Sequence, residues 1–208
     1  MAVALNLAKG ASVQLRGDNR FTVLMFGAGW DERKSPGPAI DADPIVIGRD
    51  VNGVTKDDGS WICFYNQPDI SWCRHSGDNT SGAGELDATG DDERMWIDLA
   101  QVPKEVYSID LVINIFEAKQ KHQSFGDMSK GAIRLVNVPA MGDSNGDEKI
   151  HIDLSGDAYF DATGFLAITI VRSGPAWEVQ RMDLMDARWA DTDSAANATN
   201  KAVPNPVK

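Results

Sequence analysis

The stretch GFLAITIVRSGPAWEVQRMDL, residues 164–184, decides how the rest of the chain is read. It consists of two runs rich in Ile, Val, Phe and Trp, broken by Ser173-Gly174-Pro175. Glycine reaches backbone angles closed to other residues and proline fixes φ, so this triplet reverses the chain between two strands. In the second run Trp177 and Val179 alternate with Glu178 and Gln180, the two-residue period of a half-buried strand.

The same grammar recurs along the 208 residues. Strand-like runs are VQLR (13–16), FTVLMFGAGW (21–30), PIVIGRD (44–50), WICFYN (61–66), RMWIDL (94–99), SIDLVINIFEA (108–118), GAIRLVNV (131–138) and KIHIDL (149–154). Asn52-Gly53, followed by Asp58-Gly59, predicts a tight reversal, and Asn145-Gly146 sits in another. Helical periodicity is confined to AQVPKEVY (100–107) and EAKQKHQSFGD (117–127), each long enough for a turn or so. Short strands separated by turns, with no strand–helix–strand alternation, predict an all-β chain: two packed antiparallel sheets forming a β-sandwich with few short helical turns. The expected domain spans 1–189. Residues 190–208 lack aromatic residues and periodicity, and are expected to form a flexible tail. The Asn197-Ala198-Thr199 sequon is read as chance.

Composition narrows the partners. With 42% apolar and 25% charged residues the chain can build a core. A net charge of −11 argues against nucleic acid or an anionic membrane surface, which require clustered Lys and Arg. No run approaches the roughly 18 apolar residues of a membrane span, and MAVALNLAKG lacks the basic start of a secretory signal. Cys63 and Cys73 are too few for a disulfide framework, and Cys63, in an apolar run, is expected to be a buried free thiol. The expected compartment is the cytoplasm.

The charge is concentrated. SGDNTSGAGELDATGDDE, residues 76–93, carries six carboxylates among four glycines. Hard cations such as Ca²⁺ take about six to eight oxygens from carboxylates, amide side chains, carbonyls and water. Asp78 and Asn79 lie beside glycines that let carbonyls turn inward, including Gly82 and Gly84. Asp91, Asp92 and Glu93 open the strand RMWIDL; strict alternation puts Asp91 and Glu93 on one face and Asp92 on the other. Upstream, Asp41 and Asp43 are two apart and point the same way in extended backbone, so they repel unless protonated or bridged. Asp31 is an isolated candidate. A solvated acidic loop that binds nothing fits the same residues, and the stretch does not match an EF-hand; DSNGDE (143–148) reads as a polar turn. Zinc is disfavoured because His75, His122 and His151 are scattered without paired cysteines. His75 is expected to orient a carboxylate or fill space rather than ligate.

Several segments together carry a resemblance: GAGWD (27–31), IDADPIVI (40–47), FYNQ (64–67), HSGDNTSGAG (75–84) with GDDE (90–93), DLAQVP (98–103), SFGDMSKGAIRLVN (124–137) and GPAWEV (174–179). In this order, over about residues 3–183, they resemble the TerD-domain family of tellurium-resistance and general stress proteins. That resemblance implies a β-sandwich with Ca²⁺ at two neighbouring sites. It implies ligands from Asp41, Asp43, Asp78 and Asn79, carbonyls near Gly82 and Gly84, and Asp91, Asp92 and Glu93, with Asp31 at a further matching position. Other stress-response proteins are the partner class it implies. The chain departs from the family in the inserted ELDAT (85–89), in Pro44-Ile45 after Asp43, and in lacking a glycine-rich ending.

No nucleophile elbow or phosphate loop is present, and GAGELDATG lacks a strand–helix setting, so an enzyme is not expected. The leading expectation is a non-enzymatic stress or tellurium-resistance module whose acidic loops are ordered by Ca²⁺. The alternatives are a Ca²⁺-dependent module that recognises carbohydrate or protein, and a relative that keeps the sandwich without the metal.

Overall fold

A computed structural model describes residues 8–15, 22–31, 36–84, 89–185 and 189. The 190–208 tail and most of the ELDAT insertion lie outside them. The strands, in chain order, are β1 (Ser12–Leu15), β2 (Val23–Trp30), β3 (Ala42–Arg49), β4 (Ile62–Cys63), β5 (Asp69–Ile70) and β6 (Cys73–His75). They continue with β7 (Glu93–Asp98), β8 (Ser108–Ile115), β9 (Gly131–Val138), β10 (Asp147–Asp153), β11 (Gly164–Ser173) and β12 (Ala176–Leu184). One sheet runs β1-β12-β11-β8-β3-β4 and the other β10-β9-β2-β7-β6-β5, with antiparallel pairing throughout. This is the expected β-sandwich.

Alternation builds the core. From β8, Ile109, Leu111, Ile113 and Ile115 point between the sheets; from β2, Leu24, Phe26 and Ala28 meet them. A bulge between Leu166 and Ile168 breaks the period in β11, so Ala167 and Ile168 both enter this core. The 164–184 stretch is the expected hairpin, Ser173 pairing with Ala176 across Gly174-Pro175.

The expected reversal at 52–53 and the two short helical segments take the following forms. Asn52-Gly53 does not close a two-residue hairpin: residues 50–61 link β3 to β4, and the Asp50 carboxylate caps the turn by accepting from the backbone N–H of Asn52 (2.8 Å) and Val54 (2.9 Å). Residues 100–107 form turns, Val106 N donating to Pro103 O (3.0 Å), and Arg172 donates to Pro103 O and Val106 O (both 3.1 Å) beside them. The 117–127 segment holds a short helix α1 (Ala118–Lys121) and a 3-10 turn (Phe125–Asp127).

The outer face of the first sheet is also buried. Ile45, Ile47, Ile62, Val112 and Leu166 pack with Trp189, which has no exposed surface. Beside them Arg49 Nε donates to Asp110 Oδ2 (2.5 Å), and Thr169 Oγ1 donates to Asp110 Oδ1 (2.8 Å). Trp189 therefore belongs to the folded unit. No helix of the described residues is long and apolar enough to cross a membrane.

Candidate metal centre

Asp41 and Asp43 stand where β3 enters its sheet, and that entrance is rigid. Register fixes Ala42 opposite Ile115 and Asp43 opposite Asn114. The backbone N–H of Phe116 donates to Asp41 O (2.8 Å), and the Gln123 side chain donates to Pro38 O (2.9 Å) and Ala39 O (3.0 Å). Trp30 Nε1 donates to Ile40 O (3.0 Å), tying the end of β2 to the same segment. Gln123 and Trp30 were not singled out by sequence, because their contribution is a long-range contact to backbone.

The 76–84 loop crosses from the other sheet to this point. One carboxylate oxygen each from Asp41, Asp43 and Asp78 lie within 4.8 Å of one another. Asp41 and Asp43 are buried and Asp78 is exposed. Asp41 Oδ1 is buried and has no hydrogen-bond partner among the described residues. Burial, and then the Asp78 charge, push the Asp41 carboxyl up to about 6; Lys121 opposes them and Glu117 adds to them.

Behind the trio lies Glu93, the first residue of β7. Its Oε1 accepts from Asn79 N (2.6 Å), while Oε2 is buried and lies 3.1 Å from His75 Nε2 without the alignment of a hydrogen bond. Burial drives the Glu93 carboxyl up to about 9; the Asn79 N–H opposes this, and Asp78, Asp41 and Asp92 reinforce it. His75 Nδ1 accepts from Gly77 N (3.0 Å), and burial lowers its pKa to about 4 against the pull of Asp78, so the ring is neutral at pH 7. His75 thus packs on a carboxylate without adding positive charge.

The other expected residues are placed as follows. Asn79 turns its Oδ1 onto its own loop, accepting from Ser81 N (3.3 Å) and Gly82 N (3.2 Å), while its Nδ2 donates to Asp92 Oδ1 (3.1 Å). Asp92 Oδ2 accepts from Trp30 N (2.7 Å). Gly82, at φ +66°, passes so close to Trp30 that a Cβ there would fall 2.5 Å from the ring. Gly84, at φ +87°, is exposed, and a Cβ there would meet no atom of the described residues within 4 Å. Asp31 stands apart, its carboxylate 3.1 Å from Lys130 Nζ.

Asp91 also stands apart, and the expected pairing of faces is reversed. Asp92 and Glu93 both meet Asn79, whereas Asp91 meets Arg94 and Arg134. The physical reason is that β7 begins only at Glu93, and Gly90 at φ +81° turns the chain just before it, so strand alternation does not reach back to Asp91.

The TerD domain family matches residues 1–183. The chain is 33% identical over 184 residues to a tellurium resistance protein TerD of Alcaligenes sp, covering 88% of this chain and 91% of the relative. It is 35% identical over 179 residues to the TerD protein of Serratia marcescens (85% and 88%) and 33% identical over 180 residues to general stress protein 16U of Bacillus subtilis (strain 168) (85% and 88%). The crystal structure of a homologue of telluride resistance protein TerD from Streptomyces coelicolor A3(2) superposes with a TM-score of 0.64 at 16% identity, covering 84% of this chain and 95% of that one.

Proposed function

This chain belongs to the TerD domain family of tellurium resistance and stress response, and from that premise we propose that it is a non-enzymatic, cytoplasmic module whose acidic loops are ordered by bound Ca²⁺. The observation that carries the reading is the convergence of Asp41, Asp43 and Asp78, with Asp41 Oδ1 buried and without a hydrogen-bond partner among the described residues. Oxygens sharing one Ca²⁺ at about 2.3–2.6 Å lie no more than about 5 Å apart, a condition the trio meets without rearrangement. The donors are all oxygens, the choice of a hard cation. Asp41, Asp43 and Asp78 would hold the ion, and its charge would relieve the repulsion among them and Glu93. A second neighbouring ion would draw on Asp92 and Glu93.

Calorimetric titration with Ca²⁺, followed by melting with Ca²⁺ against chelator, tests this. Saturable heat and a raised Tm are expected, both lost in Asp43→Asn and Asp78→Ala and kept in Lys104→Ala. Absence of heat in the wild-type chain refutes the reading.

A second reading has one specific observation behind it. Asp78 is exposed while its two partners are buried, so an ion held there would be open to solvent on one side. A hydroxyl or carboxylate of a carbohydrate or protein partner would then complete its coordination. Ligand binding that requires Ca²⁺ favours this form, and an ion without exchangeable water excludes it.

A further inference from the structure

Gly27 on β2 lies opposite Arg94 on β7 and, on its other side, opposite Arg134 on β9. The middle position of this three-strand row has no side chain, and the Asp91 carboxylate occupies the space. Asp91 Oδ2 accepts from Arg94 Nε (2.6 Å), Arg134 Nη2 (2.7 Å) and Thr89 Oγ1 (3.3 Å), while Oδ1 accepts from Arg134 Nε (2.7 Å). Arg94 Nη2 also donates to Thr89 Oγ1 (2.8 Å). A Cβ at Gly27 would stand 2.6 Å from Asp91 Oδ1, and one at Gly29 would stand 1.9 Å from Gly90 O. The two glycines of Gly27-Ala28-Gly29 thus admit the 90–91 segment against the sheet, and the two arginines hold it there. Charge-assisted, bidentate contacts of this kind are strong and geometrically exacting.

We infer that Arg94, Gly27 and Arg134 form a socket that keeps Asp91 out of the metal centre, and that Asp91 is a positioning residue through which Asp92 and Glu93 are presented to the ion. The inference rests on the calcium reading and assigns Asp91 a role different from ligation. The next residue after the socketed carboxylate donates its backbone N–H to Ala28 O (2.8 Å) and carries the side chain that accepts from Trp30 N and Asn79 Nδ2. Glu93 then accepts from Asn79 N, so an anchor at 91 sets the height of the whole loop.

The two roles for Asp91 give opposite signs in one charge-conserving variant. Arg134→Lys keeps the positive charge but loses the forked N–H pair. If Asp91 positions the loop, R134K weakens Ca²⁺ binding about tenfold, the usual scale for groups that orient metal ligands. If Asp91 is a ligand restrained by Arg134, loosening it strengthens binding. Calorimetry with CaCl₂ on the full chain reads the sign, with Arg181→Lys as a remote control expected to leave affinity unchanged. Terbium luminescence lifetimes supply a second readout. In Asp91→Asn the number of waters on bound Tb³⁺ stays at the wild-type value if Asp91 is outside the coordination sphere, and rises if a ligand has been lost. Stronger or unchanged binding in R134K, or additional water in D91N, overturns the socket while leaving the calcium reading in place. Failure of the wild-type chain to take up either ion overturns the calcium reading, and this role with it.

Discussion

Replacing Glu93 by Gln removes the need to protonate the most deeply buried carboxyl of the site on folding, and should stabilise the metal-free chain at pH 7. Glu93 has no exposed surface, and burial raises its pKa from 4.5 to about 9. A carboxyl whose folded pKa is raised binds its proton more tightly in the folded state. Stability is therefore highest below the unfolded value of about 4.5 and declines as pH climbs towards 9. At pH 7 the interval above 4.5 is about 2.5 units, or about 3 kcal/mol at 1.36 kcal/mol per unit. Gln escapes this penalty and keeps an oxygen for the Asn79 N–H. It also sets an N–H near His75 Nε2, whose proton follows from Nδ1 acting as acceptor; an unfavourable donor pair costs on the order of 1 kcal/mol.

The net gain expected for Glu93→Gln is about 2 kcal/mol at pH 7, or roughly 4–8 °C in Tm for a domain of this size. At pH 5 the penalty in the wild type is under about 1 kcal/mol and the difference disappears. Urea unfolding in chelator at both pH values measures it. Calcium reverses the order, because the ion uses the ionised carboxylate and should raise the wild-type Tm more than that of E93Q. A variant less stable than wild type at pH 7 in chelator, or a gain equal at pH 5 and pH 7, refutes the argument that desolvation dominates at Glu93.

Other consequences lie away from the site. Trp189→Ala should cost about 3–5 kcal/mol by opening a cavity against Ile45, Ile47, Val112 and Leu166, so chains ending at 184 should melt well below chains ending at 189. Asp110→Ala leaves Arg49, only 2% exposed, without its carboxylate, and about 3–5 kcal/mol should be lost in denaturant unfolding. The Cys73 thiol is pushed up by burial and then by its hydrogen bond with Cys63, so both thiols should react with a thiol reagent at the rate of unfolding rather than of mixing.

The expected strands that correspond to β2, β3, β8, β9, β11 and β12 are long enough to show an apolar run or a two-residue period, and that is why they were legible. Strands β5 and β6 were not, since two or three residues cannot display a period; they exist because β7 offers β6 an edge and β6 in turn offers one to β5. A similar limit hides the meeting of Cys63 with Cys73. Pro68 O accepts from both Cys63 Sγ (3.4 Å) and His75 N (2.7 Å), drawing the first sheet's edge strand onto the second's, and no spacing in the sequence encodes such a contact.

Within the site the division is sharper. Asp41 and Asp43 could be paired by periodicity because both precede or enter a continuous strand, and the backbone geometry that aligns them is local. Asp91, Asp92 and Glu93 are adjacent in sequence, yet they separate into an arginine-bound anchor and two acids that meet Asn79. What separates them is the absence of side chains at Gly27 and Gly29, two strands' contacts with Gly27, and a turn at Gly90. An acidic run announces charge, but the direction of each carboxylate depends on which neighbouring strand leaves room for it. In this chain the room is made by glycine and the direction by arginine, so the sequence features that sort the GDDE acids are GAG at 27–29, Arg94 and Arg134.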